Sequence, residues 1–134
     1  MKHILIIFVL LSLLNACKPE EKNSEISIKC NCDKLTLDNL YNHFYIENRK
    51  SPFTGMCFKL NKSGDTLETI NYNEGKVEGV LTKYYKSGTK RSETTFKKNK
   101  YHGDAKEWDK NEVLIFHGTY SDGEYDSTLI DNRR

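Results

Sequence analysis

The chain has no apolar run of bilayer-spanning length, no marked excess of one charge and no recognisable catalytic set. Each absence removes a class of function. Its longest apolar run, residues 4–14, falls well short of the ~20 residues that a membrane-crossing helix needs. With 21 Lys and Arg against 19 Asp and Glu in 134 residues, the net charge is only +2, too weak a field to gather nucleic acid. His43, His102 and His117 are scattered, with neither the i, i+4 spacing nor the neighbouring cysteines of a metal cluster. There is no Gly-x-Ser-x-Gly elbow, and Gly55, Gly64 and Gly75 are too far apart for a phosphate loop. These gaps predict a protein that is not an enzyme, with no catalytic residues, no metal and no cofactor. A hydrophobic fraction of 37% with 30% charged residues is ordinary for one folded domain.

What is present begins at the N-terminus. "MKHILIIFVLLSLLNAC" sets Lys2 and His3 before the apolar run, with no acidic residue, and has the layout of a secretory leader. Its end, "LNAC", resembles a bacterial lipobox, with Leu14 three before the cysteine and Ala16 just before it. That resemblance implies cleavage after residue 16 and acylation of Cys17. Two or three acyl chains, at ~0.8 kcal/mol per buried methylene, hold a protein stably on a membrane. The expected location is therefore the bacterial cell envelope, lipid-anchored at the outer membrane on its periplasmic or surface face. Residues 17–25 are polar and charged after the cysteine and read as a flexible tether. Their Lys-Pro-Glu-Glu start resembles an acidic surface-export signal of bacterial lipoproteins.

Cys30, Cys32 and Cys57 remain. An envelope compartment permits disulfides, and Cys30 and Cys32 are too close in sequence to bridge each other without strain. Cys57 is therefore expected to pair with one of them. The alternative, three thiolates and a histidine around a metal, lacks the paired knuckles of common zinc sites.

The most informative feature is a repeat of 24 residues, over 53–76, 77–100 and 101–124. Gly55, Gly79 and Gly103 share a column, as do Lys62, Lys86 and Lys110. So do Leu60, Tyr84 and Trp108, and so do Tyr72, Phe96 and Tyr120. Gly75, Asn99 and Gly123 fill a column of residues that tolerate positive φ. Short Gly-bearing stretches such as "NKSGD" and "YKSGT" read as turns, with "YNEGK", "FKKNK" and "YSDGE" at the opposite end. Segments rich in Thr, Tyr, Phe, Ile and Leu lie between them and read as strands. The predicted fold is all-β: an antiparallel hairpin ribbon of three repeats, two strands each, with strands ~4.8 Å apart. Residues 26–52 form an N-terminal segment, in which 44–48 supplies one preceding strand, and 125–134 form a cap or tail. The columns headed by Cys57 and by Leu60 lie three residues apart, which strict alternation assigns to opposite faces. Either a bulge re-aims one of them or both faces carry apolar side chains.

This spacing resembles the MORN-repeat variant of bacterial proteins of the YwqK antitoxin type. The second repeat fits it throughout, with Gly79, Tyr84, Tyr85, Gly88, Phe96, Asn99 and Gly103. The first departs at Leu60 and Asn61, the third at Asn111 and Glu112, and Ser127 stands where a fourth glycine is due.

A repeat scaffold without catalytic residues points to binding. The candidate surface is Lys83, Tyr84, Tyr85, Lys86 and Trp108, with Tyr85 the more exposed of the adjacent tyrosines. The Tyr72, Phe96 and Tyr120 ladder reads as core, and the other lysines as solvated hairpin edges. "DTL" and "DST" resemble a bacterial O-glycosylation sequon, which makes Thr66 and Ser127 candidate acceptors. The expected function is a non-catalytic, membrane-anchored envelope lipoprotein that binds a protein or glycan partner through its ribbon. The alternative that the family resemblance implies is an antitoxin or immunity protein neutralising a toxin by binding.

Overall fold

A computed structural model describes residues 29–47 and 50–133. The leader, the lipidation candidate Cys17 and the tether lie outside these residues. The described chain is almost entirely β. A short strand β1 (Lys29–Asn31) leads through a 3-10 turn (Cys32–Lys34) into β2 (Leu35–Asp38) and β3 (His43–Ile46). The ribbon follows as β4 (Gly55–Leu60), β5 (Thr66–Asn73), β6 (Lys76–Val77), β7 (Gly79–Tyr84), β8 (Lys90–Lys97), β9 (Lys100–Trp108), β10 (Leu114–Ser121) and β11 (Glu124–Asp131). Its strand order is β1-β4-β5-β7-β8-β9-β10-β11, with β6 pairing β5. Every pairing is antiparallel except β1 with β4, and β2 pairs β3 in a separate two-stranded sheet.

Some residues 24 apart in the sequence have equivalent partners in the sheet. Gly55 pairs Tyr72, Gly79 pairs Phe96 and Gly103 pairs Tyr120. Across the opposite hairpins Tyr72 pairs Val77, Phe96 pairs Tyr101 and Tyr120 pairs Tyr125. Each of these hairpins turns on two successive residues of positive φ, Glu74 with Gly75, Lys98 with Asn99 and Asp122 with Gly123. That is the backbone of the primed two-residue turn, whose twist matches that of the strands it joins. The wider turns at the other end repeat as well. Asn61, Tyr85 and Asp109 each donate an N–H to the carbonyl four residues on, and Gly64, Gly88 and Glu112 take the positive-φ place. Where row three lacks the Ser-Gly pair, Glu112 accepts the left-handed conformation and the Asp109 carboxylate caps the N–H groups of Asn111 and Val113.

The two apolar columns lie on opposite faces, so both faces carry apolar side chains. One residue is bulged out of register in each row, Leu67, Arg91 and Ile115, again 24 apart. These bulges sit on β5, β8 and β10, so alternation holds from Cys57 to Leu60, from Leu81 to Tyr84 and from Ala105 to Trp108. Cys57, Leu81 and Ala105 therefore share one face, and Leu60, Tyr84 and Trp108 the other.

The expected preceding strand is present as β3, in the separate two-stranded sheet. Residues 44–46 do not join the ribbon beside β4; that place belongs to β1. β3 meets the ribbon segment through a single bridge, Tyr45 to Pro52, and a proline has no N–H with which to carry a ladder further. The β2–β3 hairpin instead lies across the face that carries Cys57. There Phe53, Cys57 and Tyr72 are buried, packed by Cys30, Cys32, Leu35, Phe44, Ile46, Ile70 and Val77. Phe44 donates its N–H to the Gly75 carbonyl and accepts one from Phe53. Gly75 is required here, because a Cβ would come within 2.9 Å of both His43 and Pro52. Cys57 is bonded to Cys32, and Cys30 remains a half-buried thiol. The bridge closes a separation of 25 residues, worth on the order of 3 kcal/mol through the unfolded chain. Residues 124–131, at the expected cap or tail, form the ribbon's edge strand.

Candidate binding face

The five residues singled out from the sequence do not form one site. Lys83, Tyr85 and Trp108 line a hollow of about 390 Å³ with Arg91, Glu107 and Ile115. Tyr84 and Lys86 line another, of about 620 Å³, with Phe58, Thr66 and Thr69. Alternation separates the adjacent tyrosines. Tyr85 is half-buried, not exposed, and its hydroxyl donates to the Trp108 carbonyl at 2.8 Å, which makes it a tie between rows. The Trp108 ring has Lys90 Nζ 5.2 Å from its centroid, and Lys90 also pairs with Glu93. Of the candidate glycosylation positions, Thr66 is half-buried at the start of β5, and Ser127 Oγ is hydrogen-bonded to Thr119 Oγ1 at 2.8 Å.

A different cluster is better built. On the hairpin face the rings of Phe96, Tyr101, Tyr120 and Tyr125 form an unbroken row across β8 to β11, with centroids 4.8, 5.2 and 5.3 Å apart. Strand spacing sets this interval, since each ring stands on the next strand. The row is the continuation of the face that β2–β3 covers. In the column Phe53, Val77, Tyr101 and Tyr125, exposure rises from 3% at Phe53 to 46% at Tyr101 and 51% at Tyr125. The sequence carried this signal, since three members of that column are aromatic.

Beside the row, Phe116 is buried under Arg133, whose guanidinium carbon lies 3.8 Å from the ring centroid. Gly118 makes this possible: a Cβ there would meet Phe116 Cζ at 2.7 Å and Tyr125 at 3.2 Å. Arg133 also pairs with Asp131 at 2.9 Å and with Glu107 at 3.7 Å. Its hydrogen bonds hold the Asp131 carboxyl below the usual range. Tyr101, Glu107, Phe116, Tyr120, Tyr125 and Arg133 enclose a hollow of about 260 Å³.

Titration within the covered core is structural in character. Burial pushes the Cys30 thiol up, away from the reactive thiolate. Tyr72 is raised to about 12 by burial first, then by Cys30 and Glu68. On the ribbon, Asp104 is lowered by its hydrogen bonds to His117 and Lys106. Among the described residues no group of three or more His, Cys, Asp or Glu is placed to hold a metal ion. The arrangement offers stacking, apolar contact and charge, which are means of binding. In comparisons with known proteins the chain matches no family model, no curated protein and no solved structure.

Proposed function

We propose that this chain is a non-catalytic, lipid-anchored envelope protein whose ribbon, of the MORN-like kind, is a binding scaffold for a partner molecule. One observation carries the binding part. Among the described residues a single face is closed over Tyr72 by the chain's own hairpin and left uncovered over Phe96, Tyr101, Tyr120 and Tyr125, with Tyr101 and Tyr125 exposed. Exposed aromatic rings on a rigid sheet are costly to leave in water and characteristic of recognition surfaces. The anchor rests on the "LNAC" signal and Cys17.

Cross-linking in the native cell, comparing the wild type with Cys17→Ser, tests the reading. Envelope partners captured by the wild type and lost with the lipid support it. The family resemblance favours a second role, neutralisation of a toxin. A single toxin-like protein captured with or without the lipid assigns that role instead. Recovery of no partner from either form contradicts both.

A further inference from the structure

The two ends of the ribbon are treated differently. At one end β4 is paired by β1 and covered by β2–β3. At the other end β11 pairs β10 alone, and among the described residues no strand lies on its outer side. Sheets blunt such edges with short strands, charged side chains, bulges or proline, and β11 relies on its carboxylates and on register shifts at Asp126 and Leu129. β11 is 8 residues long and contains neither lysine nor proline. It presents Tyr125 and Leu129, 51% and 61% exposed, together with Glu124, Asp126 and Asp131. In the earlier rows the strand equivalent to β11 is followed by β8 or β10, and each of those sets an aromatic, Phe96 or Tyr120, into the row.

The shape of the row selects what extends it. Its rings are tilted or edge-on to one another at 39°, 38° and 74°, so they form no common flat platform. A sugar ring stacks on an open, flat face, which this row does not offer. A side chain from one more strand, ~4.8 Å beyond β11, continues it directly. Charge then selects the strand. The edge carries Glu124, Asp126 and Asp131; Arg133 pairs with Asp131, which leaves Glu124 and Asp126 without a basic partner among the described residues. A second copy pairing through its own β11 would bring acid toward acid.

We infer that the free edge of β11 and the adjoining Tyr101–Tyr125 face take an extended protein segment of alternating apolar and basic side chains, added as a further strand. Backbone hydrogen bonds to β11 supply affinity, an apolar ring against Tyr125 supplies register on one face, and Lys or Arg opposite Glu124 and Asp126 on the other supplies selectivity. This deepens the binding-scaffold reading by naming an occupant, and rests on it.

The test uses the ¹⁵N-labelled full chain in a non-ionic detergent, titrated with a synthetic decapeptide that alternates Lys with Phe and Val. Three control peptides carry Glu for Lys, Ser for Phe and Val, or N-methyl groups on alternate amides. The expected result is amide shifts confined to residues 124–131 and the Tyr101 and Tyr125 neighbourhoods. Affinity should fall at least tenfold for each control and for Asp126→Lys. Absence of binding, equal binding of the Glu or N-methyl peptide, or shifts elsewhere would overturn the inference. So would concentration-dependent β11 shifts without peptide, which assign the edge to a second copy, or shifts of the row on adding a β-linked hexasaccharide. Failure here while cross-linking still captures a partner removes this occupant and leaves the scaffold reading standing.

Discussion

Phe44 packs edge-on against Tyr72 with ring centroids 5.0 Å apart, whereas 24 residues further along the chain Phe96 packs against Tyr101 of its own sheet. The two aromatics have the same register, so the difference lies in what covers them. The β2–β3 hairpin reaches one repeat and stops. Its last tie to the ribbon is Asn99, whose side chain accepts the Val77 N–H at 2.6 Å and donates to the Asn42 carbonyl at 2.9 Å. The covered core and the surface proposed for recognition are thereby two parts of one face.

That division is measurable. Phe44→Ala should destabilise the chain by about 2 kcal/mol, since the ring is half-buried and full truncation of a buried Phe costs 3–5. In a ribbon whose units touch mainly their neighbours, amide exchange should rise over β4 and β5 and stay unchanged over β10 and β11. Uniform loss of protection would show a single cooperative core.

The third wide turn contains a built-in strain. Glu112 has φ of 63°, where the equivalent places hold Gly64 and Gly88. Glu112→Gly should raise stability by about 1 kcal/mol, and Gly88→Ala should lower it by a similar amount, because a left-handed residue with a Cβ costs about 1–2. Space does not confound the second variant, since a Cβ at Gly88 has no neighbour within 4 Å. The check is a shift in urea midpoint at constant m-value.

Acid sensitivity should trace partly to the same turn. Asp109 is held below the usual carboxylate range, first by the Val113 N–H and then by Asn111. A folded pKa below the unfolded ~3.9 means that the carboxylate's contribution is complete above that value and disappears as pH falls through the folded pKa. Asn61 caps its own turn with a side-chain carbonyl accepting from Ser63 and Asp65. Asp109→Asn should therefore keep the turn at neutral pH while flattening the stability curve below about pH 4. An unchanged acid limb would show that the carboxylate contributes nothing there.

Thiol chemistry should distinguish the three cysteines. Alkylation of the folded chain without reductant should label Cys30, slowly because burial raises its pKa, and should spare Cys32 and Cys57. Reduction followed by Cys57→Ser should cost on the order of 3 kcal/mol. Labelling of Cys32 or Cys57 in the unreduced protein, read by peptide mass spectrometry, would contradict the bridge.

What was legible in the sequence is what repeats. Gly55, Gly79 and Gly103, the positive-φ turn column and the aromatics at 72, 96 and 120 carry the strand order of the ribbon, because neighbouring hairpins need only local rules. Long-range contacts left no periodic mark. That β1 pairs β4 in parallel, and that residues 43–46 cover the ribbon instead of extending it, depends on residues far apart in the chain. The candidate surface was split for the same reason. Lys83, Tyr84, Tyr85 and Lys86 are adjacent in sequence, and adjacency along a strand puts side chains on opposite faces. Arg133 over Phe116 lies outside the repeat, and only the folded edge brings the two together.

The uncovered half of the hairpin face is the surface proposed to bind. The most direct measurement places a photo-reactive amino acid at position 125 or, on the opposite face, at position 58, and compares adducts in the native cell. The expected result is a discrete adduct from position 125 and none from position 58. Adducts from position 58 alone would contradict it and move recognition to the other face.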